Sequence, residues 1–227
     1  MCEVPKLPGR PAGIFKDIKP GWIECRQCRF CETRKRMVFG DGNEQAHIVL
    51  VGEAPGPEEN ECGLPFVGPS GEMLDQMVTY AGGMRSELYI TNVMGCLGEG
   101  VKSKPNINDI KQCMPRVHEI IRRIDPVMII AAGDIALHAL TGKHGIEAAH
   151  GHIQMGKVPG KYMDIIYPVF PIVHPAKIHY EGDIGPKSWA EFTTAKLYEM
   201  FKTVDELVSC YKNISPPTRK IIYRRTR

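Results

Sequence analysis

His47-Ile48-Val49-Leu50-Val51-Gly52-Glu53-Ala54-Pro55-Gly56 is the stretch that decides the architecture. Its apolar run lacks polar alternation, the pattern of a strand covered on both faces, and it breaks into a glycine-punctuated turn carrying one acid. Parallel α/β sheets offer backbone amides and a side chain to a ligand at such turns. Working outward, we expect strands at 47–52, 88–93, 127–132 and 167–173 and helices near 70–82, 108–124, 134–141 and 187–202. The helix over 108–124 is well supported: Ile110, Cys113, Met114, Val117, Ile120, Ile121 and Ile124 recur at helical spacing, and Asp125-Pro126 stops it. Cys113 then faces inward. The expected fold is α/β, a three-layer α/β/α sandwich around a mainly parallel four-stranded sheet.

With 227 residues and 43% hydrophobic content, the chain can bury one good-sized core, and nothing forces two. We expect an irregular leader over 1–20, one domain over 21–210 and a basic tail over 211–227, within which 220–223 could add an edge strand. No apolar stretch approaches the roughly 20 residues that span a bilayer, and no signal core follows a basic segment. A soluble, cytoplasmic protein with no membrane association is expected, acting as a monomer. Eight cysteines exceed what chance packing supplies, and a reducing compartment argues against structural disulfides, so metal ligation becomes the favoured use. The net charge is only +3, yet Arg26, Arg29, Arg34, Lys35 and Arg36 crowd around the first cysteines, and Arg219, Lys220, Arg224, Arg225 and Arg227 end the chain. Local fields therefore matter more than the total, with phosphate contact or a solvated face as the two readings of the first cluster.

At the carboxyl ends of the strands stand Gly52-Glu53, Asn92 and His174-Pro175-Ala176, with Phe66 close by in Gly63-Leu64-Pro65-Phe66-Val67-Gly68. Each has an ordinary explanation taken singly; together at one edge they suit recognition and removal of a nucleobase. A carboxamide can accept from an imide N–H and donate to the neighbouring carbonyl, a pairing that uracil satisfies and cytosine does not. An aromatic ring can stack on a base taken out of the helix. Breaking an N-glycosidic bond places positive charge on the sugar and negative charge on the base, which calls for a carboxylate near one and donors near the other.

Gly52-Glu53-Ala54-Pro55-Gly56, then Gly63 through Phe66-Val67-Gly68-Pro69-Ser70-Gly71, then Tyr89-Ile90-Thr91-Asn92, and finally His174-Pro175-Ala176 resemble the ordered motifs of the family 4 uracil-DNA glycosylases. The similarity runs from about Cys25 to about residue 202. It implies a uracil-DNA glycosylase-like fold and a monofunctional DNA N-glycosylase of base-excision repair that flips uracil out and hydrolyses its glycosidic bond, leaving an abasic site. It assigns Glu53 to the water or the sugar cation and His174 to the leaving base as catalytic residues. Gly52, Glu53, Ala54, Pro55, Glu59, Phe66, Asn92 and His174 become the uracil-binding set, Glu59 helping to exclude the thymine methyl. It also implies an iron-sulfur protein, with Cys25, Cys28, Cys96 and Cys113 holding a 4Fe-4S cluster. Spacing alone admits zinc as well; the resemblance favours iron and sulfur. Cys31 continues the rhythm but falls outside the family's ligand positions, and Cys2, Cys62 and Cys210 read as ordinary thiols.

Two departures stand out. After Cys96 the family continues with a basic, proline-rich segment, where this chain has Leu97-Gly98-Glu99-Gly100. After His174-Pro175-Ala176 the family offers an apolar wedge and an arginine; here Lys177-Ile178-His179-Tyr180 follows, from which we expect Ile178 or Tyr180 to wedge and Lys177 to touch phosphate. The implied partner is uracil-containing DNA, single-stranded or duplex, met at the nucleoid if the source is prokaryotic. A glycosylase for another deaminated base such as hypoxanthine, and a non-catalytic uracil-DNA-binding module, are the alternatives.

Overall fold

In the computed structural model, residues 15–98, 105–181 and 189–212 are described. The leader up to residue 14, the tail from 213 with its possible edge strand, and most of the departure at 97–100 lie outside or at the margin of that range. The elements run α1 (Lys19–Ile23), β1 (Asp41–Gly42), β2 (Ile48–Gly52), α2 (Pro57–Cys62), α3 (Pro69–Tyr80), β3 (Leu88–Asn92), α4 (Ile107–Ile124), β4 (Met128–Ala132), α5 (Asp134–Thr141), α6 (Ile146–Ala149), β5 (Gln154–Val158), β6 (Ile165–Ile172), α7 (Pro175–Glu181) and α8 (Trp189–Lys212). No helix among the described residues is long and apolar enough to cross a membrane.

The sheet order is β1-β3-β2-β4-β6-β5. The four expected strands form its parallel centre, and every residue of β2, β3 and β4 is buried. The expectation of four strands is corrected to six in a mixed sheet, because β1 and β5 add antiparallel edges. Neither carries a strand signal: β1 is two residues ending in glycine, and β5 is a half-exposed edge with Gly156 and Lys157 in its middle.

Alternating side chains of the central strands feed two cores. Val49, Val51, Tyr89, Ile129 and Ala131 meet α4 and α5 on one face. Ile48, Leu50, Leu88, Ile90, Met128 and Ile130 meet α3, α7 and α8 on the other. Truncating a fully buried residue such as Leu50 to alanine would cost about 2–5 kcal/mol. α4 begins where Asn106 accepts from the amides of Asn108 and Asp109 while Asp109 accepts from the Asn106 amide, and it ends at Asp125 in the left-handed region. α8 runs ten residues beyond the expected end, its Leu197, Met200 and Val204 keeping helical spacing against the core.

Candidate active site

The parallel pairing aligns Gly52 with Asn92. It continues past the strand ends, where the Val93 amide donates to the Gly52 carbonyl and the Met94 amide to that of Glu53, both at 2.9 Å. Glu53 and Asn92 are thereby held side by side, and His174 arrives two residues after β6. Together with Ala54, Pro55, Glu59 and Phe66 they line one cleft of about 470 Å³.

Asn92 is 1% exposed and its Oδ1 has no hydrogen-bond partner. A buried acceptor left open costs about 1–3 kcal/mol, so such an atom in a cleft marks a place where a ligand donor belongs. Gly52 makes the space: a Cβ there would stand 2.3 Å from Asn92 Oδ1 and 2.6 Å from Phe66 Cζ. Phe66 holds a positive φ of 52°, an uncommon conformation for an aromatic residue, and strain of this kind concentrates at functional sites. Gly71 lets α3 press against this turn, since a Cβ there would lie 2.0 Å from the Phe66 carbonyl oxygen.

His174 packs its ring against Phe66, with centroids 5.9 Å apart and an interplanar angle of 27°. Its Nδ1 accepts from the Ala176 amide at 3.1 Å, so the neutral ring carries its proton on Nε2. Burial lowers its pKa to about 4, with the Glu59 carboxylate pulling weakly the other way. A neutral N–H donor at physiological pH results. Gly133, at φ +98°, closes from behind, its missing Cβ 3.2 Å from the His174 side chain.

Glu59 is buried and accepts from the amides of Gly56 (2.8 Å), Val67 (2.8 Å) and Gly68 (3.0 Å). One carboxylate thus clamps the Glu53 turn to the Phe66 turn. Lys177 pairs with Glu147 on α6. Ile178 is fully buried in the α3/α8 core, which corrects its place as a candidate wedge: Pro175 starts α7 here, and position 178, one turn on, faces inward. Tyr180 lies on α7, its side chain outside the described set.

Cys96 and Cys113 are buried and Cys25 and Cys28 half-buried. Cys28 feels the charge of Cys113 and Cys25, and Cys96 that of Cys113 and Cys28. Burial pushes the Cys96 thiol up to about 11, opposed by Arg34, whose Nη1 donates to Cys96 Sγ at 3.1 Å. Among the described residues no three Cys, His, Asp or Glu side chains form the ligand set of a single metal ion. Cys62, read as an ordinary thiol, is disulfide-bonded. The basic cluster around these cysteines is largely occupied within the protein: Arg29 forks onto Asp109, Arg34 holds Cys96 and the Ile23 carbonyl, and Lys35 pairs with Glu61.

Two of the buried polar residues that sequence reasoning missed hold the main chain at the strand ends of the site. Arg116, wholly buried on α4, donates to the carbonyls of Phe39 (2.6 Å), Asn92 (2.5 Å) and Val93 (3.2 Å) and to Thr91 Oγ1 (2.8 Å). Its signal was a charge three residues after inward-facing Cys113. His150 is 1% exposed, and its Nδ1 accepts from the amide of Val173, the residue before His174, at 3.0 Å. No spacing marks it.

A buried amide with an open Oδ1, an aromatic ring, a neutral imidazole and a carboxylate thus share one cleft at the edge of an α/β sheet. The family model described as the uracil DNA glycosylase superfamily matches residues 39–195. A type-4 uracil-DNA glycosylase of Archaeoglobus fulgidus is 30% identical over 181 residues, 78% of this chain and 88% of that one. Those of Sulfurisphaera tokodaii and Saccharolobus solfataricus are 33% and 34% identical, covering 75% and 76% of this chain and 78% and 81% of theirs. The chain belongs to the type-4 uracil-DNA glycosylase family.

Proposed function

We propose that this protein excises uracil from DNA by hydrolysis, as a DNA-repair glycosylase acting on a base flipped out of the strand. The open, buried Oδ1 of Asn92 carries the reading. It accepts from uracil N3–H while the amide NH2 donates to O4; cytosine presents the opposite polarity and leaves both groups unpaired. Phe66 stacks on the base. The C1′–N1 bond breaks with its electron pair passing to uracil, and His174 Nε2–H donates to O2 to hold the charge that develops there. Glu53 stabilises the cationic sugar and orients the water whose oxygen bonds to C1′, taking the released proton, which then passes to the uracil anion, so that neutral uracil and an abasic site remain and Glu53 is a carboxylate again. Glu59 fixes the pocket wall and with it the limit on a 5-methyl group. Lys177 meets phosphate once released from Glu147, and the wedge falls to Tyr180.

Cys25, Cys28, Cys96 and Cys113 would hold a 4Fe-4S cluster. The donor set suits it: two buried and two half-buried sulfurs, with the Arg34 guanidinium donating to Cys96 Sγ and so able to offset thiolate charge. Bound there, such a cluster would tie the N-terminal loop to the turn after β3 and to α4. The protein works as a monomer in the cytoplasm.

The test is alkali cleavage of labelled oligonucleotides, single-stranded and duplex, bearing one uracil, hypoxanthine or normal base. Uracil-specific cleavage that falls sharply in Glu53→Ala is expected. Binding of uracil-DNA without cleavage would replace the reading with a binding module, and cleavage at hypoxanthine alone would replace the substrate.

A further inference from the structure

Arg116 is 0% exposed, and the oxygens that receive its hydrogen bonds are three carbonyls and a hydroxyl. None of these four is anionic. Burying a guanidinium among neutral acceptors is costly, and this one is carried on α4, three residues after Cys113. Its fork grips the end of β3 on one side, taking the Asn92 and Val93 carbonyls, and on the other the Phe39 carbonyl of the segment that leads from the first cysteines. That segment is tied to the Cys96 loop as well, the Val38 amide donating to the Gly95 carbonyl at 2.7 Å. The Asn92 amide therefore has its own main chain fixed by a cation carried on the helix of Cys113.

We propose that Arg116 is a positioning residue that links the cysteine centre to the base reader: from α4, the helix that carries Cys113, its fork sets the backbone of Asn92 and anchors the Phe39 segment that leads from the first cysteines. The link rests on the uracil reading and on a metal centre at these cysteines. It assigns that centre a part in aiming the amide as well as in stapling the loop. Lysine would keep a donor for the Phe39 carbonyl but could not fork to four oxygens, so the two roles separate by substitution.

The experiment compares wild type, Arg116→Lys and Arg116→Met, each first checked for native circular dichroism. Three quantities are read: single-turnover uracil excision, affinity for abasic DNA, and the rate at which a chelator strips the bound metal. In Arg116→Lys we expect excision lowered roughly 10- to 100-fold with abasic-DNA affinity and metal retention unchanged, because only the aim of Asn92 is lost. In Arg116→Met metal loss should be at least about tenfold faster as well, the segment from the first cysteines having lost its anchor at the Phe39 carbonyl. Wild-type excision by the Lys variant, or wild-type metal retention by the Met variant, overturns the proposal. If the Met variant does not fold, the Lys variant alone decides the positioning half. Wild type that excises no uracil, or that holds no metal, refutes the underlying reading instead and is seen before any variant is compared.

Discussion

Replacing Gly52 by alanine puts a single methyl group where the Asn92 amide and the Phe66 ring converge. The new Cβ would lie 2.3 Å from Asn92 Oδ1 and 2.6 Å from Phe66 Cζ. Ordinary contact begins near 3.5 Å, so each must withdraw by about 1 Å. Neither moves freely: Asn92 is 1% exposed with its main chain held by Arg116, and Phe66 sits on a turn at φ 52° pinned by the clamp at Glu59. Overpacking of this kind costs roughly 1–3 kcal/mol of stability. A displacement of about 1 Å in a positioning group costs on the order of 100-fold in rate. We therefore expect a folded Gly52→Ala protein with a lowered urea midpoint and about 100-fold slower single-turnover uracil excision. Gly21→Ala is the control, since a Cβ there meets nothing within 4 Å, and it should leave excision unchanged. Excision by Gly52→Ala within threefold of wild type would refute the claim that these groups hold the base.

Glu59→Gln weakens three charge-assisted hydrogen bonds at once, and the urea midpoint should fall by an amount equivalent to about 2–3 kcal/mol; an unchanged midpoint would deny the clamp. His150 and His174 are both lowered by burial to about 4 from an ordinary 6.5, so between these values the unfolded chain binds protons that the folded one does not. Stability is thus complete above pH 6.5 and declines toward pH 4, by on the order of 3 kcal/mol for His150 in full; urea midpoints at pH 7 and 5.5, where carboxylates contribute little, should differ, and equal midpoints would contradict the assignment. His174→Ala should slow uracil excision by about 100-fold or more without weakening binding to abasic DNA, and a parallel loss of both would argue that the imidazole only packs.

Long buried runs announced themselves, and so the parallel centre of the sheet, the inward face of α4 and the residues delivered at the strand ends were all readable from order along the chain. Elements without a run were not. β1 has two residues, β5 buries one face only, and α7 hides in a segment that begins with proline. The wedge expectation failed at Ile178 because an apolar residue after the histidine motif looks the same whether it meets DNA or the core, and only the phase of α7 turns it inward. Glu59 shows the converse: the family resemblance placed it near the pocket, while its hold on three amides of two loops depends on how those loops meet. Arg116 and His150 act through main-chain atoms of residues far away in sequence, and such contacts leave no periodic trace.

The most direct test is chromatographic detection of the free base after incubation with uracil-DNA, run beside otherwise identical thymine- and cytosine-DNA and repeated with Asn92→Ala. The account predicts free uracil in amounts matching the alkali-labile sites, no thymine or cytosine, and a release that collapses in the variant. Uracil released equally well without Asn92, or no free base from a folded wild-type protein, would contradict it.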